Sequence, residues 1–196
     1  MKTRIALAGL VASALLLTQA LIAADTAADS TFKAKCPVSG KDAKSTSTAD
    51  FAGGKVEFCC DNCPKAFKAD EKKFAAKAAL QMLGTGQLKQ VACPISGKAL
   101  NPDQVTTIDG VKVGFCCPNC KGAVDKADDK VAKALGGDLA KCCTAQTKCP
   151  VSGKAIDPAQ TVEYQGKKVF FCCDGCPAAF EKDPSKFTAK LPQLTK

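Results

Sequence analysis

The chain has 196 residues, 14 of them cysteine, with no histidine, no tryptophan and one tyrosine. Without histidine, Ser-His-Asp and Cys-His catalysis are excluded, as is every histidine-containing zinc site, so any chemistry here runs on thiols. The net charge of +9 is carried by lysine, since Arg4 is the only arginine; arginine does most base reading, so no nucleic-acid partner is expected and the charge reads as a solvated lysine surface.

Lys2 and Arg4 form a short basic region, followed by an almost wholly apolar run to Ala24 and then Asp25. That pattern is a secretory signal, 1–24, with small residues suited to cleavage. A run of about 20 apolar residues is also long enough to span a bilayer, but Thr18, Gln19 and the small residues favour cleavage. No cysteine follows closely, so a lipid anchor is not expected. The mature protein is expected to be periplasmic or secreted and off the membrane. That compartment permits disulfides. Residues 25–33 read as a disordered lead-in.

Three copies of one unit follow. Cys36-Pro37-Val38-Ser39-Gly40-Lys41 recurs as Cys93-Pro94-Ile95-Ser96-Gly97-Lys98 and as Cys149-Pro150-Val151-Ser152-Gly153-Lys154. At a constant spacing of 23 residues from the first cysteine comes Phe-Cys-Cys-x-x-Cys: Cys59, Cys60 and Cys63; Cys116, Cys117 and Cys120; Cys172, Cys173 and Cys176. Four residues past the last cysteine stands Phe67, Val124 or Phe180, and eleven past it Phe74, Val131 or Phe187. Such self-similarity marks repeated units, here modules at 34–84, 92–141 and 148–192.

Each module reads the same way along the chain. The Cys-Pro-x-Ser-Gly-Lys start is a tight turn. Two alternating runs then flank a turn at Gly53, Gly110 or Gly166, which predicts a β-hairpin; in copy three the runs are 161–164 and 167–171. Helix follows the cysteines, from Pro64 in copy one and Pro177 in copy three. Asp70 caps a second helix running to Gly84, and Asp183-Pro184 predicts the same start in copy three. The phenylalanines at 58, 67, 74, 115, 171, 180 and 187 are expected in the core. Copy two, with valines at 124 and 131 and Gly122 in its helix, is expected to be the least stable. The segments 85–91 and 142–147 read as short polar linkers about which copies rotate. Cys142 and Cys143 fall in the second linker and have no counterparts elsewhere.

Modules of about 45–55 residues are too small to rely on an apolar core alone. The cysteines are the only staple on offer. Three or four thiolates make a site for Zn²⁺; two or three suit Cu(I). A carboxylate such as Asp61 or Asp174 is not a general ligand, because Pro118 takes that place in copy two. Two other readings stay open. The cysteines pair as disulfides and make an interaction module, docking on an envelope partner, or the Cys-x-x-Cys sequences at helix starts carry thiol–disulfide exchange.

Cys-Pro-Val-Ser-Gly-Lys, then a hairpin, then Val-x-Phe-Cys-x-x-x-Cys-x-x-x-Phe, with Asp-Pro-Ser-Lys-Phe in copy three, resembles the TRASH/YHS domain family. The resemblance covers nearly all of 34–190. It implies an α+β protein of three small tandem treble-clef-like modules, each a hairpin plus short helices around a cysteine cluster. It implies a role in metal trafficking, resistance or sensing; together with the cysteine sets this makes metal storage or hand-off, without enzymatic activity, the expected function. It also implies one Zn²⁺ or Cu(I) per module, with Cys36, Cys59 and Cys63, Cys93, Cys116 and Cys120, and Cys149, Cys172 and Cys176 as ligands. The chain departs from the family pattern twice: Ser39, Ser96 and Ser152 stand where relatives carry a second cysteine, and Cys60, Cys117 and Cys173 are added. Each added cysteine is either the fourth ligand or a disulfide partner.

Overall fold

The computed structural model describes residues 32–194. The expected signal and most of the lead-in lie outside them. Among the described residues no helix is long and apolar enough to cross a membrane.

The opening turn is the same in each copy. The first cysteine donates its N–H to the carbonyl of the lysine five residues on, at 2.7, 2.8 and 2.7 Å, and accepts back from the glycine N–H. That glycine, Gly40, Gly97 or Gly153, has φ of +72, +71 or +75°, a left-handed angle that a side chain disfavours.

Strand β1 (Lys44–Phe51) pairs antiparallel with β2 (Gly54–Phe58) through a two-residue turn, Ala52-Gly53, in which both φ angles are positive. This primed turn matches the right-handed twist of the strands. A register shift between Lys44 and Thr48 bulges β1. Helix α1 (Cys63–Ala69) starts at the last cysteine with Pro64 in its first turn. Helix α2 (Glu71–Gly84) begins at Asp70, whose carboxylate accepts from Lys73 N. Both helices form where the proline and aspartate signals place them.

A two-residue strand β3 (Lys89–Gln90) leads into copy two, with hairpin β4 (Asn101–Ile108) and β5 (Val111–Phe115) and helices α3 (Pro118–Asp125) and α4 (Lys130–Leu135). A 3₁₀ turn at Leu139–Lys141 precedes β6 (Cys143–Thr144). Copy three supplies β7 (Asp157–Tyr164), β8 (Lys167–Phe171) and α5 (Gly175–Lys182). All three hairpins carry the same bulge after their first paired residue. The structure is thus a mixed α+β fold of three hairpin modules, each with its own cysteine cluster.

The second helix expected in copy three is absent. Pro184–Lys186 and Thr188–Lys190 form only 3₁₀ turns. Leu191 is extended, with φ −107° and ψ 96°, as a residue before proline (Pro192) prefers, so helix does not propagate.

Copies one and two are not separate bodies. Helix α2 packs on α4, and one continuous core holds Phe58, Phe67, Met82, Phe115, Val124 and Leu135. Phe32, within the expected lead-in, packs against this core at Gly84. Copy three keeps a core of its own around Phe171, Phe180 and Leu191. Of the phenylalanines read as core, those at 58, 67, 115, 171 and 180 are buried, while Phe74 and Phe187 are half-buried.

The two linkers are not free swivels. They pair with each other: Lys89 faces Thr144 and Gln90 faces Cys143 in an antiparallel β3–β6 ladder. Lys89 Nζ also donates to the Ile156 carbonyl at 2.9 Å. Backbone groups leaving water need partners, and these polar segments supply them to one another.

Candidate metal centre

In each module three structural elements bring one sulfur apiece to a common point. The opening turn provides Cys36, the residue after β2 provides Cys59, and the first turn of α1 provides Cys63. Their sulfurs lie within 4.8 Å of one another, as do those of Cys93, Cys116 and Cys120 and those of Cys149, Cys172 and Cys176. The first thiol is 0–1% exposed in every copy, while the second is half-buried.

The spacing fits a metal. A tetrahedral Zn²⁺ with bonds of about 2.3 Å requires sulfurs about 3.8 Å apart. The second and third sulfurs are 3.6, 3.7 and 3.7 Å apart in the three copies. These separations are far above the length of a disulfide bond, about 2.05 Å; every cysteine is a free thiol.

The added cysteines occupy the rim. Cys60 Sγ is 3.5 Å from Cys63 Sγ and 3.8 Å from Cys59 Sγ. In copy three the same distances are 3.4 and 3.8 Å. Cys60 and Cys173 are exposed and Cys117 is half-buried. Cys60 and Cys173 thus sit beside the second and third sulfurs, and none of the three added cysteines joins the close group of three.

The serine of the opening turn touches the cluster directly. Ser39, Ser96 and Ser152 Oγ lie 3.1 Å from the sulfurs of Cys59, Cys116 and Cys172. The same hydroxyls accept the N–H of Lys41, Lys98 and Lys154 at 3.3 Å.

These contacts set the charge of the site. Burial pushes Cys36, Cys93 and Cys149 up, but hydrogen bonds from the serine and from backbone N–H groups outweigh it together. Cys36 settles at about 7 and Cys93 and Cys149 at about 6. The third thiol goes the other way. Burial and its sulfur neighbours push Cys63 up, and Cys120 to about 12; contact with Cys173, then burial, push Cys176 to about 12. Hydrogen bonds hold the rim thiols Cys60, Cys117 and Cys173 down. At neutral pH each cluster thus offers a thiolate ready for a cation and retains a proton that a cation displaces.

A set of glutamines holds the ligands in register, and sequence reasoning missed it. Gln146 Oε1 accepts the Phe170 N–H at 3.0 Å, while its Nε2 donates to the carbonyls of Phe170 at 2.5 Å and Lys148 at 3.1 Å. Phe170 lies two residues before Cys172 and Lys148 lies one before Cys149, so one amide ties the first ligand's strand to the second's. Gln90 does the same between Gly114 and Ala92 at 2.8–3.1 Å. In copy one the equivalent amide is Gln81, reaching from α2 to Glu57 and Lys35 at 2.8–2.9 Å. All three are at most 5% exposed. The available signal was a glutamine three residues before the first cysteine in copies two and three; copy one has Lys33 there.

Residues 148–190 match the YHS domain family. No curated protein and no solved structure matches the chain. The YHS match covers the third module, whereas the resemblance had extended to all three. Modules one and two repeat its turn, register and cluster but lie outside the match. Copy three is also the one that keeps Asp183-Pro184-Ser185-Lys186-Phe187 after its helix. The three clusters, one of them inside the YHS match, each have the sulfur arrangement that could hold a metal ion.

Proposed function

We propose that this is an exported metal-binding protein in which three YHS-like modules each hold one soft ion, Zn²⁺ or Cu(I), for storage, trafficking or resistance in the cell envelope. The observation that carries this reading is the threefold recurrence of a three-sulfur cluster with a serine at its edge and a buried, acidified first thiol. Thiolates select soft metals, and no histidine is present to build a different site. Cys36, Cys59 and Cys63, and their equivalents, bind the ion. Cys60, Cys117 and Cys173 sit where a fourth ligand or an incoming ion meets the cluster. Metal exchange needs no catalytic group beyond these thiols, so the protein acts without enzymatic turnover.

A disulfide-stapled interaction module is the second reading. It is favoured by the Cys60–Cys63 and Cys173–Cys176 pairs, at 3.5 and 3.4 Å among the closest thiol contacts. Titration of the reduced full chain with Zn²⁺ separates the two. Metal binding gives three equivalents, and substituting Cys63, Cys120 and Cys176 together by serine abolishes them. Unchanged stoichiometry in that variant would sink the proposal.

A further inference from the structure

Two thiols stand outside the clusters. Cys142 and Cys143 are adjacent, 3% and 8% exposed, with sulfurs 3.4 Å apart. Both are fixed by backbone pairing. Cys143 faces Gln90 in the β3–β6 ladder, and the Cys142 carbonyl accepts the N–H groups of Val91 and Ala92 at 2.8 and 3.2 Å. Val91 and Ala92 lead directly into Cys93, the first thiol of the second cluster, and the charge of Cys93 acts on Cys142. Cys143 lines a cleft of about 1250 Å³ to which all three modules contribute, with walls that include Gly53, Ile95, Leu139, Thr144 and Phe170.

Burial of both sulfurs rules out a link to another chain in this conformation. A disulfide between them is disfavoured, because adjacent Cα atoms are about 3.8 Å apart and disulfides span about 4.4–6.8 Å. What remains is a buried dithiol of which Cys143 lines the cleft, with the Cys142 sulfur 3.4 Å behind it.

We propose that Cys142 and Cys143 form a fourth metal site, absent from the repeat, for a soft monovalent ion of low coordination number such as Cu(I). Both thiols lose their protons to solvent, two sulfur–metal bonds form, and no electron is transferred. Zn²⁺ does not suit the pair, since it takes four ligands. Asp138, the carboxylate whose charge acts on Cys142, is committed to the Ala140 N–H at 3.1 Å. Two thiolates satisfy a soft ion that tolerates few ligands. This site does not depend on the three clusters binding metal.

The test titrates the reduced, metal-free full chain with Zn²⁺ and, separately and anaerobically, with Cu(I), counting ions by native mass spectrometry. The Cys142→Ser/Cys143→Ser variant is expected to bind one Cu(I) fewer than the unmodified protein and the same number of Zn²⁺. An equal Cu(I) count overturns the proposal. Serine at two buried positions can weaken folding, so the unmodified protein is also footprinted. Alkylation of the peptide holding Cys142 and Cys143 is expected to slow at least tenfold with Cu(I) relative to Zn²⁺. Equal rates with the two ions overturn the proposal whatever the variant does. If the three clusters bind nothing, the Zn²⁺ count falls to zero and the function proposed above fails alone.

Discussion

Replacing Gln146 by leucine keeps the volume of the side chain and removes its hydrogen bonds. The amide is 1% exposed and satisfies both the N–H and the carbonyl of Phe170, itself 6% exposed. Each stranded buried group costs about 1–3 kcal/mol, so the pair costs about 2–6 kcal/mol. The loss falls on a module with only six residues in its own buried cluster, so it is not shared with the larger core of modules one and two. Module three is expected to open alone. Hydrogen exchange read by mass spectrometry should show β8 losing protection by at least thirtyfold, the equivalent of about 2 kcal/mol, while β2 and β5 are unchanged. The Zn²⁺ count should fall from three to two. Unchanged protection of β8 with all three ions retained would refute the role given to the glutamine.

Three further outcomes are expected. Gly122→Ala in α3 meets nothing within 4 Å and should stabilise the core of modules one and two by about 0.5–1 kcal/mol through helix propensity; Ala52→Asn, at φ 49° in the first primed turn, should act in the same direction, both read as a rise in thermal midpoint. Ser152→Ala removes the hydroxyl that helps hold Cys149 at about 6, so the ultraviolet thiolate absorbance of that module should titrate at higher pH; an unshifted titration would remove the serine from the account. As in the other two modules, metal-free stability of module three should depend on pH through thiols shifted in opposite directions, chiefly its first and third. Cys149 is lowered from 9.0 to about 6, so its contribution is present above pH 9 and is lost as pH falls through 6. Cys176 is raised from 9.0 to about 12, so its contribution is present below pH 9 and is lost as pH rises through 12. The thiol contribution therefore peaks near pH 9, which denaturation of the apo protein against a Cys149→Ser/Cys176→Ser variant measures.

The local features of the modules were legible because their causes are local. A glycine in the opening turn, a glycine in each hairpin turn, Asp70 as a cap and period-two alternation all act within a few residues. So the turns, the hairpins and α2 stand where the sequence places them. Features that join distant segments were not legible. The β3–β6 ladder pairs residues 89–90 with 143–144, and neither segment carries a pattern that names the other. Polarity made both look like free linkers. The C-terminal half of α2 is buried by copy two as well as copy one, which no single-module reading anticipates. At the site, spacing brought the right sulfurs together but not their order of depth. Cys60, Cys117 and Cys173 are adjacent in sequence to ligands yet lie at the rim, because neighbouring residues at a strand end point to opposite sides. Gln81 was hidden for another reason: it performs from a helix what Gln90 and Gln146 perform from a strand or loop three residues before a cysteine.

The most direct measurement is a native mass spectrum of the protein recovered from the cells that make it, without added metal or reductant. Bound ions add mass, and each disulfide removes two hydrogens. The expected spectrum shows three Zn²⁺, or four Cu(I), on a chain with reduced cluster cysteines. A metal-free chain with most of its fourteen cysteines oxidised would contradict it and make the clusters staples.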